Sequence, residues 1–343
     1  MWLLNTARAE LKFFPGPSSV PGGYAILSHV WDEHEQSFQD IQALRDQCSA
    51  NGTNPRDFAS DKIRELCLLA ERDDYQWAWN DTCCIDKTSS SELSETITSM
   101  YDYYLGADIC YVYLRDVPTC SLDDLRAPDS AFRNSQWHQR GWTLQELIAS
   151  PLVLLLSSTW EFLGAKADLA DLLAEITQVP AAVLRFDRPP YAYCVATRMG
   201  WAANRKTTRL EDEAYCLMGI FGIFMPPMYG EGRNAFIRLQ EEIMRQVDDP
   251  TIFAWGEGYG QDWDAVTGWS LKGNWWIQRG YLYALSPSQF RVGRYMECGT
   301  VDRRLPTRSL WGILRGVSAH CVVPSSRKYL RHERLPSLTC ADN

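Results

Sequence analysis

The chain has 343 residues and carries 34 Lys or Arg against 43 Asp or Glu, a net charge of −9. With 45% hydrophobic and 22% charged residues it has the composition of a folded chain large enough for about two domains, which excludes a disordered or fibrous protein. The acidic balance argues against general binding to nucleic acid or anionic membranes.

The amino terminus, MWLLNTARAELKFF, lacks a basic stretch followed by an apolar one. The longest apolar run, Leu152 to Leu156, is far short of the ~20 residues of a membrane span, so a soluble, cytoplasmic protein is expected. Eleven scattered cysteines, odd in number and without a CxxC pair, read as free thiols of a reducing compartment. His29, His34, His138, His320 and His332 show no metal-ligand spacing, so no metal is expected.

Tyr24 to Trp31, after the breaker cluster Pro15 to Gly23, reads as a buried strand, followed by a polar loop. Ile63, Leu66, Cys67 and Ala70 form a helical stripe, and Tyr75 to Trp79 reads as a second strand. Ser89 and Glu92 have capping-box spacing ahead of a helix whose face is Leu93, Ile97, Met100, Tyr101 and Tyr104, closed by Gly106. A third strand spans residues 109 to 114. A polar loop (116 to 135), a helix over about 138 to 149 and the strand Leu152 to Leu156 follow. This alternation predicts a parallel sheet with helices on both faces, which binds ligands beyond the carboxyl ends of its strands.

From about residue 166 helices dominate, marked by Leu169 to Ile176, Glu211 to Ile220 and Asn234 to Val247. Residues 257 to 343 turn Trp- and Gly-rich, with the look of short strands and turns, and residues 291 to 334 carry a net +7. The expected organisation is therefore an α/β domain over 1–165, a helical extension over 166–256 and a β-rich C-terminal segment over 257–343.

Neither GxGxxG nor GxxxxGK[ST] occurs, and Gly230-Glu231-Gly232 reads as the turn that starts a helix. Cys83 or Cys84 with His138 could form a nucleophilic pair, but the interior preference of free cysteine makes packing the default. More informative is Arg140-Gly141-Trp142-Thr143-Leu144-Gln145-Glu146, where Trp142 and Glu146 share a helix face at i, i+4. An indole beside a carboxylate can stack a ring and hold a ribose hydroxyl or an anomeric cation. Equally, Glu146 could pair with Arg140 while Trp142 packs in the core.

These motifs give the chain a strong resemblance to the fungal heterokaryon-incompatibility (HET) domain family. It runs through Tyr24 to Trp31, through Trp79 to Lys87, which resembles the family's W-I-D-x-x-C-I-N motif, and through Met100-Tyr101 and Arg140 to Glu146. It continues in residues 201–209, 211–217 and 228–240, similar to an extension common after HET domains. Asp32, Asn80, Cys84 and Asp86 depart from the family pattern. The resemblance implies non-self recognition and programmed cell death, with self-association or another incompatibility protein as partner. HET domains also look remotely like TIR domains, which implies a TIR/flavodoxin-like fold and NAD hydrolysis. On that resemblance Glu146 is the catalytic carboxylate, and Ser28, His29, Trp31, Asp81 and Trp142 bind the substrate. NAD enters as candidate substrate, and no cofactor is implied. A non-catalytic signalling and assembly module is the alternative.

Overall fold

The computed structural model describes residues 1–255 and 283–291 and the backbone of two short strands, Glu297–Cys298 and Cys321–Val322. The sheet order is β2-β1-β4-β3-β5-β6-β7, with β1 Trp2–Asn5, β2 Glu10–Phe13, β3 Ala25–His29, β4 Trp77–Trp79, β5 Ile109–Tyr113, β6 Val153–Leu156 and β7 Phe162–Ala165. The four central strands β4, β3, β5 and β6 run parallel, in the flavodoxin-like order, as the alternation predicts. Every residue of β3 and β4 is buried, which is why they read as continuous apolar runs.

The edges were not expected. Strand β1 pairs antiparallel with β4 and forms a hairpin with β2, while β7 returns antiparallel on β6, so the sheet is mixed. These edge strands have four residues each, too few for a readable two-residue period.

The helices are α1 Phe38–Asn51, α2 Asp61–Arg72, α3 Ser90–Leu105, α4 Leu122–Arg126, α5 Ala131–Asn134, α6 Thr143–Ala149, α7 Ala170–Thr177, α8 Ala181–Leu184, α9 Val195–Trp201, α10 Asp212–Tyr215, α11 Met218–Phe221 and α12 Asn234–Gln246. In α2 the predicted stripe Ile63, Leu66, Cys67 and Ala70 is buried. Ser89 caps α3 by accepting from the Glu92 amide at 3.3 Å, but no reciprocal box forms, because the Glu92 carboxylate accepts from the Asp86 amide at 3.0 Å.

Three expectations need correction. The polar loop after β3 contains α1, capped by a Ser37–Asp40 box and weakly amphipathic, with only Phe38, Ile41 and Cys48 buried. The helix expected over 138–149 begins at Thr143, because Gln136–Gln139 form a separate 3-10 turn and Arg140 is extended. The helix expected over Glu211 to Ile220 is two short ones, α10 and α11. At that break α11 closes on α3 so tightly that a Cβ on Gly219 would lie 2.1 Å from Tyr101 Cβ.

The core is continuous from the sheet into the extension. Trp79 is fully buried edge-on between Tyr103 and Tyr104, at 5.9 and 5.8 Å, and helix α6 is buried at every position. The turn at Gly230-Glu231-Gly232 starts α12 as predicted. Its glycines, at φ +105° and +58°, point their amides at Glu211 Oε1 (2.8 and 3.0 Å), so the chain's own carboxylate fills the anion-binding turn. Most of the expected β-rich segment 257–343, and nearly all of the basic stretch 291–334, lie outside the described residues. Within them Glu297–Cys298 pairs antiparallel with Cys321–Val322. Among the described residues no helix is long and apolar enough to cross a membrane.

Candidate active site at the carboxyl ends of the parallel strands

Strand β3 ends in Ser28-His29, and β4 runs out into Asn80-Asp81. The Asn80 side chain accepts from the Thr82 amide at 3.1 Å, and its carbonyl accepts from the Cys84 amide at 2.8 Å. This turn brings Asp81 over the end of β3. There His29 Nε2 lies 3.0 Å from Asp81 Oδ1, and the Trp31 indole donates to Oδ2 at 2.7 Å. Lys87 Nζ rests 4.2 Å above the Trp31 ring and donates to the Thr82 carbonyl. Burial raises the Asp81 pKa, but hydrogen bonding to His29, the charges of His29 and Lys87 and the Trp31 donor outweigh it, so the carboxyl sits below its ordinary value.

A web of charges fixes the loop between β3 and α1. Lys62 bridges Asp32, at 2.7 Å, and Glu35, while Arg115 also holds Asp32. Glu35 stands 3.9 Å from His29 Nδ1, and that nitrogen, on a side chain only 1% exposed, has no hydrogen-bond partner among the described residues. Asn80 Nδ2 and Gln145 Nε2 are likewise buried and unpartnered.

Helix α6 delivers Glu146 to the same place. Ser28 hydrogen-bonds the Glu146 carboxyl and accepts from the Trp137 indole at 2.7 Å. The Tyr104 hydroxyl, which helps to hold the Glu146 pKa down, donates to the Leu27 carbonyl at 2.9 Å. Glu146 is 7% exposed. Burial pushes its pKa up to about 8, the Asp81 charge adds to this, and Ser28 and Arg140 pull back against it. A carboxylate contact with the substrate calls for the ionised form; at neutral pH the resting side chain is instead largely the neutral acid.

The structure thus brings Ser28, His29, Trp31, Asp81 and Glu146 into one region and leaves Trp142 out. The Trp142 indole lies instead near Asp212 of α10 in the extension, whose carboxyl it helps to hold down against the rise caused by burial. The indole that reaches Ser28 is Trp137, which sequence reasoning missed because it precedes α6 and shares no helical period with Glu146. Tyr104 was legible only as a core position of α3. No pair forms between His138 and Cys83 or Cys84: all three are buried, His138 hydrogen-bonds the Phe132 carbonyl, and burial pushes its pKa down to about 3.

Residues from the extension hold the segment before Glu146. Gly141 N–H donates to the Lys206 carbonyl at 2.8 Å, and Lys206 N–H to the Gln139 carbonyl at 2.7 Å. Arg205 donates to the Arg140 carbonyl and to Thr143 Oγ1. A Cβ on Gly141 would lie 2.5 Å from Thr207 Cγ2, so glycine is needed for this approach.

A flavodoxin-ordered sheet with two acids at its carboxyl edge defines the general class, and comparison with known proteins narrows it. Residues 24–129 match the heterokaryon incompatibility protein (HET) family, so the chain carries a HET domain. It is 43% identical over 232 residues to vegetative incompatibility protein HET-E-1 of Podospora anserina; the alignment covers 66% of this chain but only 16% of that protein. Residues 234–302 match a domain of unknown function, DUF8212. No solved structure gives a significant match. Glu146 lies beyond the segment matched to the HET family.

Proposed function

We propose that this chain acts in heterokaryon incompatibility as a cytoplasmic death-inducing module, and that the site at the strand ends hydrolyses the N-glycosidic bond of an NAD-like dinucleotide. The observation that carries the reading is the pair of acids with opposite pKa shifts, Asp81 held ionised and Glu146 held neutral, joined through Ser28 and His29 at the end of one strand. Asp81 attracts a pyridinium cation, and the Trp31 ring edge stands beside it. The incoming positive charge favours ionisation of Glu146, which then stabilises oxocarbenium character at the ribose C1′. The C1′–N1 bond breaks with its electron pair leaving on nicotinamide, and the oxygen of water bonds to C1′ with loss of a proton. Loss of NAD then kills the cell. The test is nicotinamide release by purified full-length protein and by Glu146→Gln. Release by the wild type and none by a folded variant is expected; equal rates remove Glu146 from the reaction.

A second reading rests on one observation: resting Glu146 is nearly buried and already holds the Ser28 hydroxyl. In that reading the network is structural, and the module signals by self-association or through another incompatibility protein. A Glu146→Ala protein that still kills on overexpression, with cellular NAD unchanged, selects it.

A further inference from the structure

Strand β2 is one edge of the sheet, bonded on a single side to β1. Met1 N donates to the Phe14 carbonyl and Phe14 N–H to the Met1 carbonyl, both at 2.8 Å, so these two residues exchange both bonds. In the register Leu3↔Lys12, Leu4↔Leu11, Asn5↔Glu10, alternation then turns the backbone groups of Lys12 and Glu10 toward β1 as well. Those of Leu11 and Phe13 face outward, and they have no hydrogen-bond partner among the described residues. Helix α1 packs on the face that carries Trp2 and Phe13, with Phe38 5.2 Å from Trp2. Phe13 is nevertheless 54% exposed, so the helix stops short of this edge.

The charges on β2 make this edge complementary to itself in one register. Glu10 and Lys12, two residues apart, stand on the same face with opposite sign. A second copy can bond here antiparallel only where outward-facing residues meet outward-facing ones. Leu11 opposite Phe13 would set Lys12 against Lys12, and Leu11 opposite Ala9 would set Glu10 against Glu10, like charges directly opposed. Phe13 opposite Phe13 would leave Glu10 beyond the paired residues. Leu11 opposite Leu11 instead sets each Glu10 against the other copy's Lys12, in the non-hydrogen-bonded positions where side chains come closest. Neither charge is locked within its own chain. Glu10 meets Arg8 at 2.8 Å in a solvent-accessible pair, and the exposed Lys12 lies 5.3 and 5.2 Å from the Phe14 and Trp77 ring centres. The opposite edge, β7, has no charged residue to fix a register.

We infer that β2 is the surface through which two copies of this chain associate, antiparallel about a two-fold axis at Leu11, so that their sheets become one. Leu11 N–H donates to the other copy's Leu11 carbonyl and receives the same bond in return, and a Glu10–Lys12 ion pair flanks the centre on each side. An edge of the same sequence supplies both charges at the required spacing, which makes the occupant a second copy. A four-residue strand buries little surface, so the association is weak and follows concentration. The same charges oppose every other register and turn away edges of different pattern. The inference rests on the self-association reading above and not on the NAD chemistry.

The test is sedimentation equilibrium of the full-length protein over a concentration series into the hundreds of micromolar. The wild type is expected to form dimers. Glu10→Lys and Lys12→Glu should each weaken association about tenfold or more, because each sets like charges opposite one another at two places. An equimolar mixture of the two variants should return to wild-type association, the edge with two lysines pairing with the edge with two glutamates. Circular dichroism checks folding; Glu10→Gln and Lys12→Gln, each expected to weaken association less, are the substitutes if a reversal unfolds the chain. A monomeric wild type overturns the inference together with self-association. A wild type that associates while either variant does so equally well, or a mixture no tighter than its components, overturns this edge alone. Glu146→Gln should associate as the wild type does, which keeps the result separate from the NAD reading.

Discussion

The Ser28 hydroxyl joins two buried groups of the site, the Trp137 indole and the Glu146 carboxyl. Its oxygen accepts from Trp137, and its hydrogen is left for Glu146. That donated hydrogen favours the ionised acid, and burial outweighs it, carrying the Glu146 pKa to about 8.

Two substitutions should therefore raise that pKa further. Ser28→Ala and Tyr104→Phe each remove a hydroxyl that holds the Glu146 carboxyl down, so the neutral acid persists to higher pH in both. Carbon-13 titration of Glu-labelled protein, with Glu146→Gln identifying the resonance, reads both shifts. A fall in either variant would show that its hydroxyl does not favour the carboxylate.

Stability should fall between pH 6.5 and 8. A carboxyl raised to about 8 in the folded chain binds more protons there than in the unfolded one, so its contribution is complete below the unfolded value and is lost as pH climbs through the folded one. The loss over this interval is about 2 kcal/mol at ~1.4 kcal/mol per pH unit. His138 acts in acid instead: lowered to about 3, it costs stability only as pH drops below its ordinary value. Urea unfolding at the two pH values, with Glu146→Gln flattening the difference, checks the assignment.

On the proposed chemistry, Trp142→Phe should leave any NAD turnover intact and cost about 1 kcal/mol, because its indole lies by Asp212 rather than in the acid cluster. Burial already raises the Asp212 pKa, and the Tyr229 hydroxyl, at 2.9 Å, would remain as its donor. Lost turnover in a variant with wild-type stability would return Trp142 to the site.

Glu211→Ala should loosen the start of α12. Two amides, of Gly230 and Gly232, lose a charged acceptor, an effect of about 2 kcal/mol. Amide exchange at these glycines should quicken, while Glu211→Gln, which keeps an oxygen, should fall between.

The parallel core was readable because fully buried strands such as β3 and amphipathic helices such as α2 declare themselves over short windows. Ser28, His29, Asp81 and Glu146 were legible as a group because strand ends and family motifs mark them. Trp137 and Tyr104 were not, since their roles depend on hydroxyl and indole directions that no periodicity encodes. Helix α1 hid behind a weakly apolar face, and the edge strands behind their brevity.

The cord formed by Gln139, Gly141 and Lys206 has an evolutionary corollary. Exchange of the segment around 139–149 between relatives, without its counterpart near 205–212, would deliver Arg140 and Glu146 on an untethered approach, so the two stretches must be inherited as a matched set. Similarity to the Podospora protein, at 232 residues, indeed far outruns the 24–129 family segment.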